Sequence, residues 1–226
     1  MNKVLICCLF LLTPMMLLGQ EFSREIRPSE PRMYGKDIIK IQEMLLSFGF
    51  SEVGTVDGWY GPKTEAAVRK YQEFLGFLPT GIVNKGVWET LSSKNSLVRQ
   101  IHSDLVQVNL LAKEKYEKIE KDLPDHSTEG GSITKYLDSG KAKYIEIELY
   151  FEMGKVYYKV YPIENRYIVV STAYRYPKPF DLENANIEYA SYYYTGKATY
   201  EITNGLPTRL KYDATGILEI LDEEKF

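Results

Sequence analysis

The sequence predicts an α+β chain: an N-terminal three-helix bundle, a connecting helix, and a C-terminal antiparallel β meander. Three observations carry this expectation. Apolar residues recur at three- and four-residue spacing through the first half, the spacing switches to strict alternation after Thr134, and 15 of the 19 tyrosines lie at or beyond Tyr136. The 226 residues suffice for two modest domains or one large one, and 44% hydrophobic with 26% charged residues fit packed cores rather than a solvated polyelectrolyte. A net charge of −3 gives no general electrostatic case for a nucleic-acid partner.

Residues 1–20 carry one early cation, Lys3, an apolar run without acids, and a small residue, Gly19, near the end. This is the pattern of a secretory signal peptide, and Pro14 interrupts a run too short to span a bilayer comfortably. Its removal is expected to leave no transmembrane segment and an exported protein, periplasmic or wall-associated and extracellular. Cys7 and Cys8 would leave with it, so the mature chain is expected to hold no disulfide or thiolate chemistry. The two histidines, His102 and His126, have no carboxylates at zinc-site spacing around them. No metal or other cofactor is therefore expected.

Residues 21–33, with Pro28 and Pro31 among charges, read as an extended lead-in, with order beginning near Tyr34. From Lys36, Ile38, Ile41, Leu45 and Phe48 mark one face of a first helix that Gly49 stops. A tight Asp57-Gly58 turn and the Gly61-Pro62 step then open a second helix, with Ala67, Val68, Tyr71 and Leu75 inward and Gly76 at its end. A second turn around Thr80-Gly81 leads through Asn84, as N-cap, into a short helix bearing Val87, Trp88 and Leu91. Gly58, Gly61, Thr64 and Val68 fall 23 residues before Gly81, Asn84, Val87 and Leu91, so the turn-helix unit is an internal repeat. Both Gly58 and Gly81 are expected at positive φ.

The pattern Ile38-x-x-Ile41-Gln42-x-x-Leu45, Asp57-Gly58-x-Tyr60-Gly61-x-x-Thr64-x-x-Ala67-Val68-x-x-Tyr71-Gln72, then Thr80-Gly81-x-Val83 and Trp88-x-x-Leu91 resembles the bacterial peptidoglycan-binding domain of the three-helix type, over residues 34–92. Tyr71 stands where the family usually has phenylalanine, and Thr80 where it usually has aspartate. The resemblance implies noncatalytic recognition of peptidoglycan. It directs attention to Asp57, Gly58, Trp59, Gly61, Lys63 and Thr64, where an aromatic face, a cation and backbone N–H groups at a helix start could meet sugar and stem-peptide carboxylate. Trp59 reads equally as ligand platform or rim residue, whereas Tyr60 and Trp88 read as core.

Residues 93–132 read as a connecting segment. One or two amphipathic helices are expected from Ser96 to Lys121, with Leu97, Ile101, Leu105, Val108 and Leu111 inward, and a flexible linker from Asp125 to Ser132. The tyrosine-rich β domain spans 133–226. Ile145, Ile147, Leu149 and Phe151 alternate with Glu146, Glu148, Tyr150 and Glu152, and further runs at 155–162, 166–176, 186–195, 197–203, 206–212 and 217–221 give about seven strands. Short turns between them call for antiparallel neighbours, with barrel and open sheet both open. Four Tyr-x-x-x-Gly units, at Tyr136, Tyr150, Tyr192 and Tyr212, are distantly similar to the hairpin repeats of bacterial MORN-variant proteins, and no function is carried across that similarity.

Tyr192, Tyr193 and Tyr194 must point to both faces of a strand, so this triplet is expected to supply an interaction patch, with an envelope protein as its candidate partner. Asp181 and Glu183 offer a carboxylate pair of the kind glycoside hydrolysis needs, though no motif surrounds them. The expectation is therefore a noncatalytic wall-binding protein. A peptidoglycan hydrolase targeted by the same domain and an envelope assembly subunit are the alternatives.

Overall fold

The computed structural model describes residues 21–111, 115–179, 181–211 and 216–223; the expected signal peptide, residues 1–20, and Tyr212 of the last Tyr-x-x-x-Gly unit lie outside them. An N-terminal helical region, residues 36–109, precedes an eight-stranded antiparallel sheet. Among the described residues no helix is long and apolar enough to cross a membrane.

The helices form where the sequence periodicity places them. Helix α1 (Lys36–Ser47) buries Ile38, Ile41 and Leu45, and Gly49 follows its end at φ 88°, letting Phe50 N–H donate back to the Leu45 carbonyl at 3.1 Å. Helix α2 (Pro62–Phe74) repeats the device, with Pro62 in its first turn and Phe77 N–H donating to the Gln72 carbonyl at 2.9 Å beyond Gly76. Helix α3 (Lys85–Leu91) is capped by the Asn84 side chain, which accepts from Val87 N–H at 3.0 Å. The lead-in is extended but not loose. Ile26 is buried and exchanges backbone hydrogen bonds with Val83, at 3.1 and 2.8 Å, and Arg24 pairs with Asp37 at 2.8 Å. Order therefore begins well before Tyr34.

Helix α4 (Ser96–Asn109) buries Val98, Ile101, Leu105 and Val108. It stops short of the helix expected to reach Lys121, because residues 117–122 form an edge strand instead. β1 (Glu117–Asp122) pairs antiparallel with β2 (Gly131–Asp138), matching Lys118 to Tyr136 and Ile119 to Lys135. All its side chains are exposed and five of the six are charged, with both signs mixed, so it covers the edge of the sheet with groups that discourage further strand pairing. The expected flexible linker is correspondingly the loop of this hairpin. Leu123 N–H donates to the Gly131 carbonyl and Tyr150 N–H to the Gly130 carbonyl, both at 2.8 Å, which stitches the loop to the sheet.

The meander continues through β3 (Lys141–Phe151), β4 (Gly154–Ile163), β5 (Arg166–Arg175), β6 (Asn186–Tyr194), β7 (Thr199–Thr203) and β8 (Leu206–Arg209), each hydrogen-bonded to its sequence neighbour. The expected strand at 217–221 is instead a helix, α5 (Ile217–Glu223). Its Ile217, Ile220 and Leu221 have the three- and four-residue spacing of a helical face and are buried against the sheet.

Both sheet faces carry core. On one, Ile163, Ile168, Val170, Tyr193 and Ile202 belong to the same hydrophobic cluster as the helices. On the other, Ile133, Ile147, Val160, Val169 and Tyr194 pack with α5. The helical region is also fastened to the sheet by polar contacts. The buried Asp104 carboxylate accepts from Arg166 Nε and Nη2, each at 3.0 Å, and from the Tyr193 hydroxyl at 2.6 Å. Ser191 Oγ donates to the Phe74 carbonyl at 2.8 Å, and Gly205 N–H to the Leu75 carbonyl at 2.8 Å, so the sheet satisfies carbonyls that the end of α2 leaves without intrahelical partners. A β-carbon at Gly76 would stand 1.7 Å from the Ile202 carbonyl oxygen, so this approach admits no larger side chain.

Candidate functional site

The turn from Asp57 to Thr64 is built around one buried side chain, Gln42 of α1. Its amide Nε2 donates to Asp57 Oδ1 at 2.9 Å, and to the Trp59 carbonyl and Thr64 Oγ1, both at 3.2 Å. Its Oε1 accepts from the N–H groups of Asp57 and Gly58 at 3.1 and 2.9 Å. Asp57 Oδ1 also accepts from Trp59 N–H at 2.9 Å, and these donors, Gln42 foremost, hold the Asp57 carboxyl below its ordinary range. The second turn has the same construction. Gln72 donates to Thr80 Oγ1 at 3.3 Å and to the Ile82 carbonyl at 2.9 Å, and accepts from Gly81 N–H at 2.8 Å. Thr80 Oγ1 accepts from Ile82 N–H at 3.1 Å, so a hydroxyl there does the work of the Asp57 carboxylate. Tyr60 is buried and its hydroxyl donates to the Gly81 carbonyl, tying the two turns together.

The repeat diverges in what it leaves outside. At the second turn, the Arg69 guanidinium pairs with Glu65 at 2.7 Å and lies over the backbone. At the first, Trp59 is 47% exposed and its ring lies 4.8 Å from that of Tyr34, itself 55% exposed. Backbone pairing fixes this aromatic pair, through Tyr60 N–H to the Met33 carbonyl at 2.9 Å and Gly35 N–H to the Gly58 carbonyl at 3.1 Å. Beside Trp59 runs a groove of about 440 Å³ lined by Arg32, Gln42, Asp57, Lys63 and Thr64. Arg32 and Lys63 are exposed cations at its wall, and α2 starts in it.

The structure thus brings the sequence-predicted residues together and divides their roles. Trp59, Asp57 and Lys63 face outward, whereas Gly58 and Thr64 are buried and Gly61 precedes the first turn of α2. Gln42, Tyr34 and Arg32 escaped the sequence reading. Gln42 was detectable, because Ile41-Gln42 in α1 and Tyr71-Gln72 in α2 place the same side chain after a core residue in the helix that precedes each turn. Trp88 is buried, as its spacing indicated.

The tyrosine triplet does not form an exposed patch. Tyr193 and Tyr194 are buried at 0% and 3% exposure, one toward the helices and the other toward the α5 side, and Tyr192 packs partly buried beside Tyr194. The expectation assumed a sheet with one wet face, and here both faces are covered at this strand. Histidine 102 is a core residue, stacked on Phe48 at 4.0 Å and bonded through Nε2 to the Tyr71 hydroxyl at 3.0 Å. Burial pushes its imidazole down to about 4.

Residues 34–91 match the family model described as "Putative peptidoglycan binding domain". A protein of Kitasatospora aureofaciens, described as "Uncharacterized protein in bpoA1 3'region", is 49% identical over 41 residues, 18% of this chain and 35% of that protein. The matched segment therefore spans about a third of that relative's length. No solved structure matches the chain significantly. The match ends before the sheet, and nothing in these comparisons supports the hairpin-repeat similarity of its tyrosine-glycine units. Residues 34–91 accordingly place a peptidoglycan-binding domain in this chain, with peptidoglycan as the ligand that such a domain implies and the cell envelope as the location it suggests.

Proposed function

We propose that this chain is an exported, noncatalytic cell-wall-binding protein whose first turn grips peptidoglycan and whose sheet is a firmly docked interaction module. The observation that carries the reading is the pairing of exposed Trp59 and Tyr34 beside a groove walled by Arg32 and Lys63, all but Arg32 within the segment that matches the family. An aromatic face suits the C–H side of a sugar ring, and cations near a helix start suit a stem-peptide carboxylate.

The test is co-sedimentation of the whole chain with purified sacculi. Wild type is expected in the pellet. Trp59→Ala is expected to lower the bound fraction several-fold with an almost unchanged melting temperature, since this side chain lies largely outside the core. A wild type that stays in the supernatant removes the wall-binding reading. Soluble fragments released from the sacculi would replace the noncatalytic assignment with a hydrolytic one.

A further inference from the structure

Tyrosines of the sheet include two distinct sets. Tyr144, Tyr158, Tyr193 and Tyr194 are buried. Another set lies on the helix-side face of β3 to β6, beyond the cover of α2. Two cross-strand rows define it, Tyr150–Lys155–Tyr174–Ile187 and Glu148–Tyr157–Thr172–Tyr189, each in register over four adjacent strands. Tyr150 and Ile187 are exposed, and the other six are half-buried. With neighbouring strands about 4.8 Å apart, Tyr150 and Tyr174 stand roughly 9.6 Å apart, as do Tyr157 and Tyr189. The rows are offset by one strand, so the rings form a checkerboard. Between them Lys155 Nζ pairs with Glu148 at 2.7 Å and lies 5.4 Å from the centre of the Tyr174 ring.

We propose that this face is a second glycan-binding surface, one that takes the sugar backbone of the wall polymer rather than its peptide. Each tyrosine offers a ring to the apolar face of a pyranose, and the carboxylates of Glu148 and Glu146, which hold the Tyr150 and Tyr157 hydroxyls, lie where its polar edge would come. The two-strand pitch is close to the length of one β-linked disaccharide, so alternate rings meet equivalent sugars along a chain crossing the strands. A protein partner fits less well, because interface centres are depleted of charge, whereas this face has an ion pair at its middle and Ile187 as its one aliphatic side chain. The choice of sugar rests on the wall-binding reading; the surface itself does not.

The probe is a tetramer of β-1,4-linked N-acetylglucosamine, which carries no stem peptide, titrated into the whole chain labelled with ¹³C at its tyrosine rings. Ring signals of Tyr150, Tyr157, Tyr174 and Tyr189 are expected to shift together. The double variant Tyr150→Ala/Tyr174→Ala is expected to bind at least tenfold more weakly, with Tyr150→Phe/Tyr174→Phe recovering most of the affinity and reporting on fold. The proposal falls if the tetramer leaves these signals in place, if the double alanine variant binds as wild type does, or if sedimentation equilibrium shows a dimer that the double variant dissolves, since a second copy would then own the face. Failure here leaves the Trp59 sacculus result standing, and loss of that result leaves a tetramer bound to the sheet interpretable.

Discussion

Gly58 and Gly81 sit at φ 77° and 74°, where a β-carbon strains the backbone, and their surroundings separate them. A β-carbon at Gly58 would meet Ile39 Cγ1 and Tyr34 Cε2, each at 3.0 Å, beneath the aromatic pair. At Gly81 it would meet Glu65 Cγ at 2.7 Å, part of a long side chain at the surface that can swing aside. Gly58→Val is therefore expected to cost about 1 to 3 kcal/mol and Gly81→Val toward the lower end, read by denaturant unfolding. Equal stability of both variants and wild type would contradict the turn assignment. His102 gives a pH dependence of defined sign. Its folded value, about 4, lies below the ordinary 6.5, so the unfolded chain takes up a proton first as pH falls. Stability from this residue is complete above pH 6.5 and declines down to about 4, by a total of roughly 3 kcal/mol at most. Urea unfolding at pH 7 and pH 4.5 is expected to show this decline, and His102→Leu to flatten it.

At the scale of elements, α4 is held to the sheet by Asp104, which satisfies Arg166 and Tyr193 at once; it raises the Arg166 pKa, and it adds to the burial that raises that of Tyr193. Removing the carboxylate takes the shared acceptor from a partly buried guanidinium and a buried hydroxyl, leaving Arg166, among the described residues, only the exposed Glu164 at 3.8 Å. Asp104→Ala is therefore expected to destabilise by about 3 kcal/mol, whereas adding Arg166→Met should recover part of that loss. A purely additive double variant, measured in a thermodynamic cycle, would show that the pair does not couple. The element that sequence reading placed least well, β1, also belongs here. Its six residues hold one apolar side chain, Ile119, so neither period is strong, and pairing with β2 decides the outcome.

Across the whole molecule, helices and sheet contribute to one hydrophobic cluster, and backbone hydrogen bonds join the β7–β8 turn to the end of α2. The chain is therefore expected to unfold in one cooperative calorimetric transition. Two resolved transitions, with the tyrosine-rich sheet melting separately from Trp88 fluorescence, would show independent modules. The same contacts argue against testing the helical segment in isolation, since cutting after α3 would take the Ser191 and Gly205 donors away from the Phe74 and Leu75 carbonyls.

The three N-terminal helices, the glycine stops of the first two and the positive φ of Gly58 and Gly81 were determined by the sequence alone, because each depends on interactions within a few residues: helical periodicity, a cap, a missing β-carbon. The order of the strands from β3 to β7 was legible for the same reason, short turns leaving only antiparallel neighbours. The candidate site was half legible. Trp59 and Lys63 stood in the turn motif, but Gln42 lies fifteen residues earlier in the chain than Asp57, and Tyr34 joins Trp59 only through backbone pairing. Tertiary structure alone decided that residues 117–122 pair as a strand and that Tyr193 and Tyr194 are buried on opposite faces. Each of those outcomes depends on which distant surface is available to cover an apolar group or complete a hydrogen bond. Local spacing carries no record of that surface.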